Sequence, residues 1–218
     1  SFIYKEGRVY MLKIDHIVYV TSNVTASTEE LTNKLGVAPT FGGSHIGRGT
    51  CNALLSLGEY QYLEILGPDP TQEFQLPSER FPEIPLLRTW AARTTNIIQL
   101  VESANVKGID FGSVRDMSRI RADGVKLDWE LTTGSGGGLG RDNNVAVLPF
   151  LIDWKDSPHP SIDAPSGCSL VELRIEHPDF ETIRDQLEFL NLNIHTTYAE
   201  ESSLTAVIDT PLGQVEIK

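Results

Sequence analysis

Cysteine is scarce: Cys51 and Cys168 are the only two in 218 residues. They lie far apart and form no CxxC pair, which excludes a disulfide scaffold, a zinc knuckle and a thioredoxin-type redox motif. Both sit in apolar surroundings and read as small buried hydrophobes. No apolar run reaches the roughly 20 residues that span a bilayer as a helix. Basic residues are in deficit, 18 Lys and Arg against 30 Asp and Glu, for a formal net charge of -12. A surface of that sign repels phosphate backbones, so no nucleic-acid partner is expected, and no membrane. No apolar segment of signal-peptide type opens the chain, and a reducing, cytoplasmic location is expected. Residues 1–10 precede Met11 and are read as an N-terminal extension or expression scar, outside the fold. A Ser-His-Asp order with a nucleophile elbow is also missing. The glycine run Gly134 to Gly140 has neither a following helix nor a Lys-Ser/Thr pair, so it is no phosphate cradle. It is read instead as a hairpin loop able to cover a cleft.

What is present is ordinary globular composition, 40% hydrophobic and 22% charged, and a repeated pattern. Leu12, Ile14, His16, Val18 and Val20 alternate with Lys13, Asp15, Ile17 and Tyr19, a strand. Ser27 and Glu30 have capping-box spacing for a helix carrying Leu31 and Leu35, with Gly36 placed to end it. Gly42-Gly43 reads as a turn, and strands are expected over 50–57 and 60–66. Residues 71–85 are proline-rich and read as a surface linker. The order then recurs: a strand over 86–92, a helix over 96–106, a hairpin of 114–121 with 125–132, and an apolar strand over 145–154. A third round follows the proline-rich loop 157–165, with a strand over 169–176, an amphipathic helix carrying Phe180, Ile183, Leu187 and Leu190, and three short strands. A βαβββ order recurring three times predicts an α+β fold of repeated modules, about 11–70, 86–156 and 167–218. Two of these are expected to form a curved mixed sheet around a cleft.

Aligned by their strand-to-helix junctions, the first and third rounds place His16 opposite Glu172, and Glu64 opposite Glu216. His16 shares a face with Ile14 and Val18, and Glu64 with Tyr62 and Leu66. If those faces line a cleft, an imidazole and a carboxylate meet where burial demands a partner. Either they satisfy each other as a structural His–Glu pair, or they ligate a divalent metal such as Zn, Fe, Mn, Ni or Co. Arg174 lies two residues from Glu172, on the same strand face, so the third module's acids are expected to form a structural ion-pair network instead.

The repeated unit, opened by Asp15-His16-Ile17-Val18 and closed by Tyr62-Leu63-Glu64-Ile65, resembles the vicinal oxygen chelate superfamily of glyoxalases, extradiol dioxygenases, epimerases and resistance proteins. More narrowly it resembles the glyoxalase-like family. The supporting stretches are Gly43-Ser44-His45, Gly49-Thr50-Cys51-Asn52, Arg121-Ala122-Asp123-Gly124 leading to Leu127-Asp128-Trp129, and Pro149 to Trp154 followed by His159-Pro160. The resemblance implies metal ligands on the first and last strands of paired modules, positions that His16 and Glu64 match. The second module departs from it: residues 86–92 contain no His, Glu or Gln, and the closing strand offers Asp153.

Further candidates surround that pair. His45, among glycines, and His159, held between prolines over a pocket mouth, are acid/base candidates. Asn52 suits reading a ligand carboxylate or amide, and Trp129 and Trp154 suit the walls of an apolar pocket. The leading expectation is a small-molecule enzyme of vicinal oxygen chelate type, a lyase, isomerase or dioxygenase, with His16 and Glu64 holding a divalent metal. The alternative is a metal-free protein that binds and sequesters a small molecule. A homodimer is compatible with either.

Overall fold

A computed structural model describes residues 4–5, 8–9, 12–121, 123–134, 137–140 and 144–218. At the N-terminus, β1 (Tyr4–Lys5) pairs antiparallel with β2 (Arg8–Val9). The rest of the expected extension, and Met11, lie outside the described residues.

Three βαβββ rounds follow. The first is β3 (Lys13–Val20), α1 (Val24–Leu35), β4 (Thr40–His45), β5 (Thr50–Gly58) and β6 (Gln61–Pro68). The second is β7 (Leu86–Arg93), α2 (Ile97–Val106), β8 (Val114–Ile120), β9 (Lys126–Thr132) and β10 (Phe150–Asp153). The third is β11 (Ser169–His177), α3 (Phe180–Phe189), β12 (His195–Tyr198), β13 (Ser203–Thr210) and β14 (Gly213–Ile217). The α+β reading of repeated modules therefore describes the chain.

The first two modules join into one closed barrel in the order β10-β7-β3-β6-β5-β4-β8-β9. They meet at two antiparallel seams. At one, β3 lies against β7 along most of its length. At the other, β4 touches β8 at the pair Ser44 and Ile120. Alternation along each strand sorts side chains between two apolar layers. Val18, Val20, Tyr62, Leu66, Trp129, Phe150 and Ile152 fill the barrel interior. Ile17, Tyr19, Leu63, Ile65 and Trp90 face outward, beneath the helices carrying Leu31, Leu35, Ile97 and Leu100. The third module forms its own sheet, ordered β12-β11-β13-β14. Its Leu173, Ile175, Ala206 and Ile208 join that outer layer, with β11 packed on β5 and β13 on β7.

Four local expectations are corrected. Helix α1 begins before Ser27, because Asn23 caps it by accepting from the Ala26 amide at 3.0 Å. Ser27 is buried and donates to Thr21 Oγ1 at 2.7 Å; Gly36 does end the helix, at φ 71°. Gly42-Gly43 is no turn but lies inside β4, where the pairing with β5 shifts register between Phe41 and Gly43. The apolar run 145–154 is a strand only over Phe150–Asp153. Upstream of it the backbone serves other partners: the Val147 carbonyl accepts from the Trp90 indole at 2.8 Å, and the Ala146 amide donates to the Arg88 carbonyl at 2.7 Å. Finally, the proline-rich 71–85 segment is more than a linker, since Phe74, Leu76 and Arg80 reach the barrel cavity.

Candidate active site

The barrel encloses a cavity of about 720 Å³, within the range of small-molecule sites. Its polar floor is built by neighbouring strands of the first module. On β3, Asp15 is fully buried and takes four cationic or N–H groups. His16 Nδ1 lies 2.7 Å from Oδ1. His159 Nε2 lies 3.0 Å from Oδ2, the Trp154 indole donates to Oδ2 at 3.1 Å, and Arg93 Nη1 stands 3.6 Å away. Burial pushes the Asp15 carboxyl up, but the hydrogen bonds from His159 and His16 outweigh it and hold it at about 2. An ionised carboxylate only accepts, so His16 carries its proton on Nδ1. The imidazole's other nitrogen, Nε2, then faces Glu64 Oε2 across 3.7 Å. Tyr62 stacks on the His16 ring with centroids 4.5 Å apart and fixes its plane.

Glu64, on β6, is buried. Its Oε1 accepts from Asn52 Nδ2, on β5, at 2.6 Å. His45, at the end of β4, sets Nε2 3.9 Å from the same oxygen, with Nδ1 3.0 Å from Thr50 Oγ1. Burial holds the His45 ring below the usual imidazole range, against the pull of Glu64. Above this floor the walls are apolar. Trp129 and Trp154 stand with ring centroids 5.2 Å apart, and Phe150, Ile152 and Met117 continue the surface. Gly138 and Leu139 also line the cavity, and a side chain at Gly138 would approach Glu64 Oε2 to 3.8 Å. The glycine-rich segment thus does border the cleft.

The structure brings His16, Glu64, His45, Asn52, Trp129 and Trp154 to one cavity. His159 is not among its lining residues. It is buried behind the wall, its Nε2 on Asp15 and its Nδ1 accepting from the Ser161 amide at 3.2 Å. Its place is that of a support for Asp15. Asp153 also points away, with Oδ1 accepting from the Lys155 amide at 3.0 Å. In the third module Arg174 bridges Glu172 at 2.7 Å and Glu216 at 2.8 Å, the expected ion-pair network.

Two site residues escape the sequence reading. One is Asp15, which strict alternation assigns to the outer face; the β3–β7 register shifts between Ile14 and His16, where it sits. The other is Arg119 on β8. It is buried at 4% exposure and lines the same cavity. Its Nη1 donates to the Gly42 carbonyl. The signal available was Arg115, Met117 and Arg119 at strand spacing, a pattern equally typical of a solvent-facing strand.

Superfamily members often hold a divalent metal, so the donor set decides whether this chain can. His16 and Val18 are the fourth and sixth residues of β3, and Val18 pairs with Glu64. Thr89 and Ala91 are the fourth and sixth residues of β7, and Ala91 pairs with Phe150. The places facing His16 and Glu64 across the barrel's pseudo-twofold axis are therefore Thr89 and Phe150, and a phenyl ring ligates nothing. On the first module's side, Glu64 turns Oε2 to His16 and Oε1 to His45, so the three are strung through the carboxylate rather than converging. Among the described residues no group of three or more His, Cys, Asp or Glu is placed to hold a metal ion. These residues do not fit the superfamily's metal.

Paired βαβββ modules closing into a barrel around a cavity define a protein of the glyoxalase type. The chain belongs to the glyoxalase-like domain family, whose model matches residues 14–190, and thereby to the vicinal oxygen chelate superfamily. Among solved structures, a hypothetical protein from Staphylococcus aureus is 15% identical, with TM-score 0.59 over 95% of this chain and 86% of its own. Methylmalonyl-CoA epimerase from Mycobacterium tuberculosis is 16% identical, with TM-score 0.40 over 65% and 87% of the two chains. A Streptomyces coelicolor methylmalonyl-CoA epimerase variant in complex with 2-nitronate-propionyl-CoA is 18% identical, with TM-score 0.40 over 66% and 96%. A search of the curated proteins finds no match. No helix of the described residues is long and apolar enough to cross a membrane.

Proposed function

We propose that this chain is a small-molecule enzyme of the vicinal oxygen chelate superfamily that moves a proton at a carbon beside a carbonyl, without a metal. Glu64 is the base. The observation that carries this reading is the line from buried Asp15 to His16 and Glu64, the last two on the cavity floor, with Asn52 closing Oε1 and leaving Oε2 toward His16. Asp15 holds a proton on His16 Nδ1, and His16 Nε2 faces Glu64 Oε2 across 3.7 Å, so a proton released by a substrate meets a carboxylate with an imidazole beside it. Oε2 takes the proton, and the C–H electron pair passes to the carbonyl oxygen as an enolate. Return of a proton from Glu64 to the same carbon restores the carbonyl compound with that hydrogen exchanged, and no oxidant or further reactant enters. Apolar walls exclude water from the enolate. His45, whose affinity for a proton burial lowers, is the proton-exchange partner of the substrate oxygen.

Deuterium uptake from D2O into a panel of α-CH carbonyl compounds, followed by NMR, tests this. Exchange above the blank with the native protein, and none with Glu64→Gln, is expected. Equal exchange by both sinks the assignment. The tilted Trp129–Trp154 pair favours a second reading, sequestration of a flat compound; a compound that binds tightly and never exchanges would establish that instead.

A further inference from the structure

Five arginines in the described chain have no carboxylate within ion-pair distance among the described residues: Arg48, Arg80, Arg88, Arg115 and Arg119. Four of these five line the one cavity. In a protein of net charge -12, unpaired cations have no shortage of acids to meet on the surface. Their collection around one apolar-walled cavity needs another explanation than chance pairing.

Arg119 is the informative member. A guanidinium offers five N–H groups, and the Gly42 carbonyl takes one of them. Burial lowers its affinity for a proton, with Tyr62 and Glu64 pulling the other way; it is only 4% exposed and lines the cavity, so its remaining donors are open to what enters there. A buried cation left so is costly unless something that enters the cavity completes it. Its position is built, not incidental. A Cβ at Gly42 would fall 2.4 Å from Asn52 Oδ1 and 2.8 Å from Arg119 Nη1, so the bare Gly42 lets both side chains close on the same point. Asn52 in turn holds Glu64. Arg119 is thus set beside the proposed base, on the opposite side of Asn52. Arg48 and Arg115 are exposed and Arg80 is half-buried, so positive charge continues from the depth of the cavity to its rim.

We propose that Arg119 is the anion-binding residue of this cavity and that the ligand is a small organic carboxylate with a flat apolar body. The carboxylate meets the Arg119 fork. The flat body lies against Trp129, Trp154 and Phe150. Arg48 and Arg115 draw the anion in from solvent. The inference rests on the same cavity as the proton-transfer reading and names the class of compound it acts on; recognition and proton transfer are nonetheless separate measurements.

The test compares 2-naphthoate with 2-naphthamide, which share shape and differ in charge, by quenching of tryptophan fluorescence and by calorimetry. The native protein is expected to bind the carboxylate at least about tenfold more tightly than the amide. Arg119→Gln should abolish that preference while leaving amide binding in place. Arg119→Lys, which keeps the charge, should restore part of it, and melting curves of all three proteins separate loss of recognition from loss of fold. Glu64→Gln should keep the preference, because it removes the base and not the cation. The proposal is overturned if the native protein binds both compounds alike, binds neither, or if folded Arg119→Gln still prefers the carboxylate. Carboxylate binding without deuterium exchange would sink the proton-transfer reading alone.

Discussion

Asp15 and His16 are neighbours in the chain, yet their side chains meet at 2.7 Å and together orient the floor of the cavity. The carboxylate also receives His159 and Trp154 from far along the chain, so one buried charge ties β3 to the segment that follows β10. Asp15→Asn replaces a charged acceptor by an amide whose NH2 group faces other donors. The expected cost is about 3 kcal/mol, or on the order of 10 °C in Tm for a chain of this length. Thermal denaturation at neutral pH measures it.

The same residue sets an acid limb. The Asp15 carboxyl stands at about 2 in the folded protein against 3.8 in the unfolded chain. A depressed acid stabilises the fold above its unfolded value, and that contribution drains away as pH falls from about 4 toward 2. A shift of this size corresponds to roughly 2 kcal/mol. Urea titrations between pH 5 and pH 2.5 should show stability falling with acid, and falling less steeply in Asp15→Asn. Parallel slopes for the two proteins would mean Asp15 does not carry the limb.

Gly42→Ala probes the point where Asn52, Arg119 and Leu54 converge. The new methyl would lie 2.4 Å from Asn52 Oδ1, 2.8 Å from Arg119 Nη1 and 2.8 Å from Leu54 Cγ. Overpacking of this kind costs about 1–3 kcal/mol. It should also weaken carboxylate binding, since both polar groups must move. A variant with native urea midpoint and native ligand affinity would show that the strand gives way instead.

His16 and Glu64 in the first module match Glu172 and Glu216 in the third, but in different surroundings. Glu64 is buried on the cavity floor, whereas Glu172 and Arg174 form a partly exposed pair. Glu172→Gln should leave proton exchange and carboxylate binding unchanged and move Tm little, as surface ion pairs usually do. Glu64→Gln should abolish exchange. The reverse pattern would place the working cavity in the third module.

Metal removal should change nothing. Protein dialysed against EDTA should keep its melting temperature and its deuterium exchange, because Thr89 and Phe150 stand where a second pair of ligands would be needed. A melting temperature that rises by several degrees with Zn, Mn, Ni or Co at micromolar concentration would overturn the metal-free reading.

Much of this molecule is legible in local pattern. Alternation around His16 and Glu64, amphipathic spacing in α3 and the threefold βαβββ order are properties of short segments, and the amino-acid sequence by itself determines them. It likewise singles out His16, Glu64, His45, Asn52 and both cavity tryptophans, because a polar residue in an apolar stripe is visible without coordinates. The tertiary structure alone decides the rest. Asp15 turns inward because β3 and β7 shift register beside it, and His159 comes to lie behind the cavity wall through its bond to Asp15, 144 residues earlier in the chain. Arg119 reaches the floor because β8 closes the barrel against β4 through Ser44 and Ile120. Local periodicity specifies which residues share a face of a strand. Which strands become neighbours, and hence whether that face meets water or a cavity, is settled by the packing of segments distant in the chain.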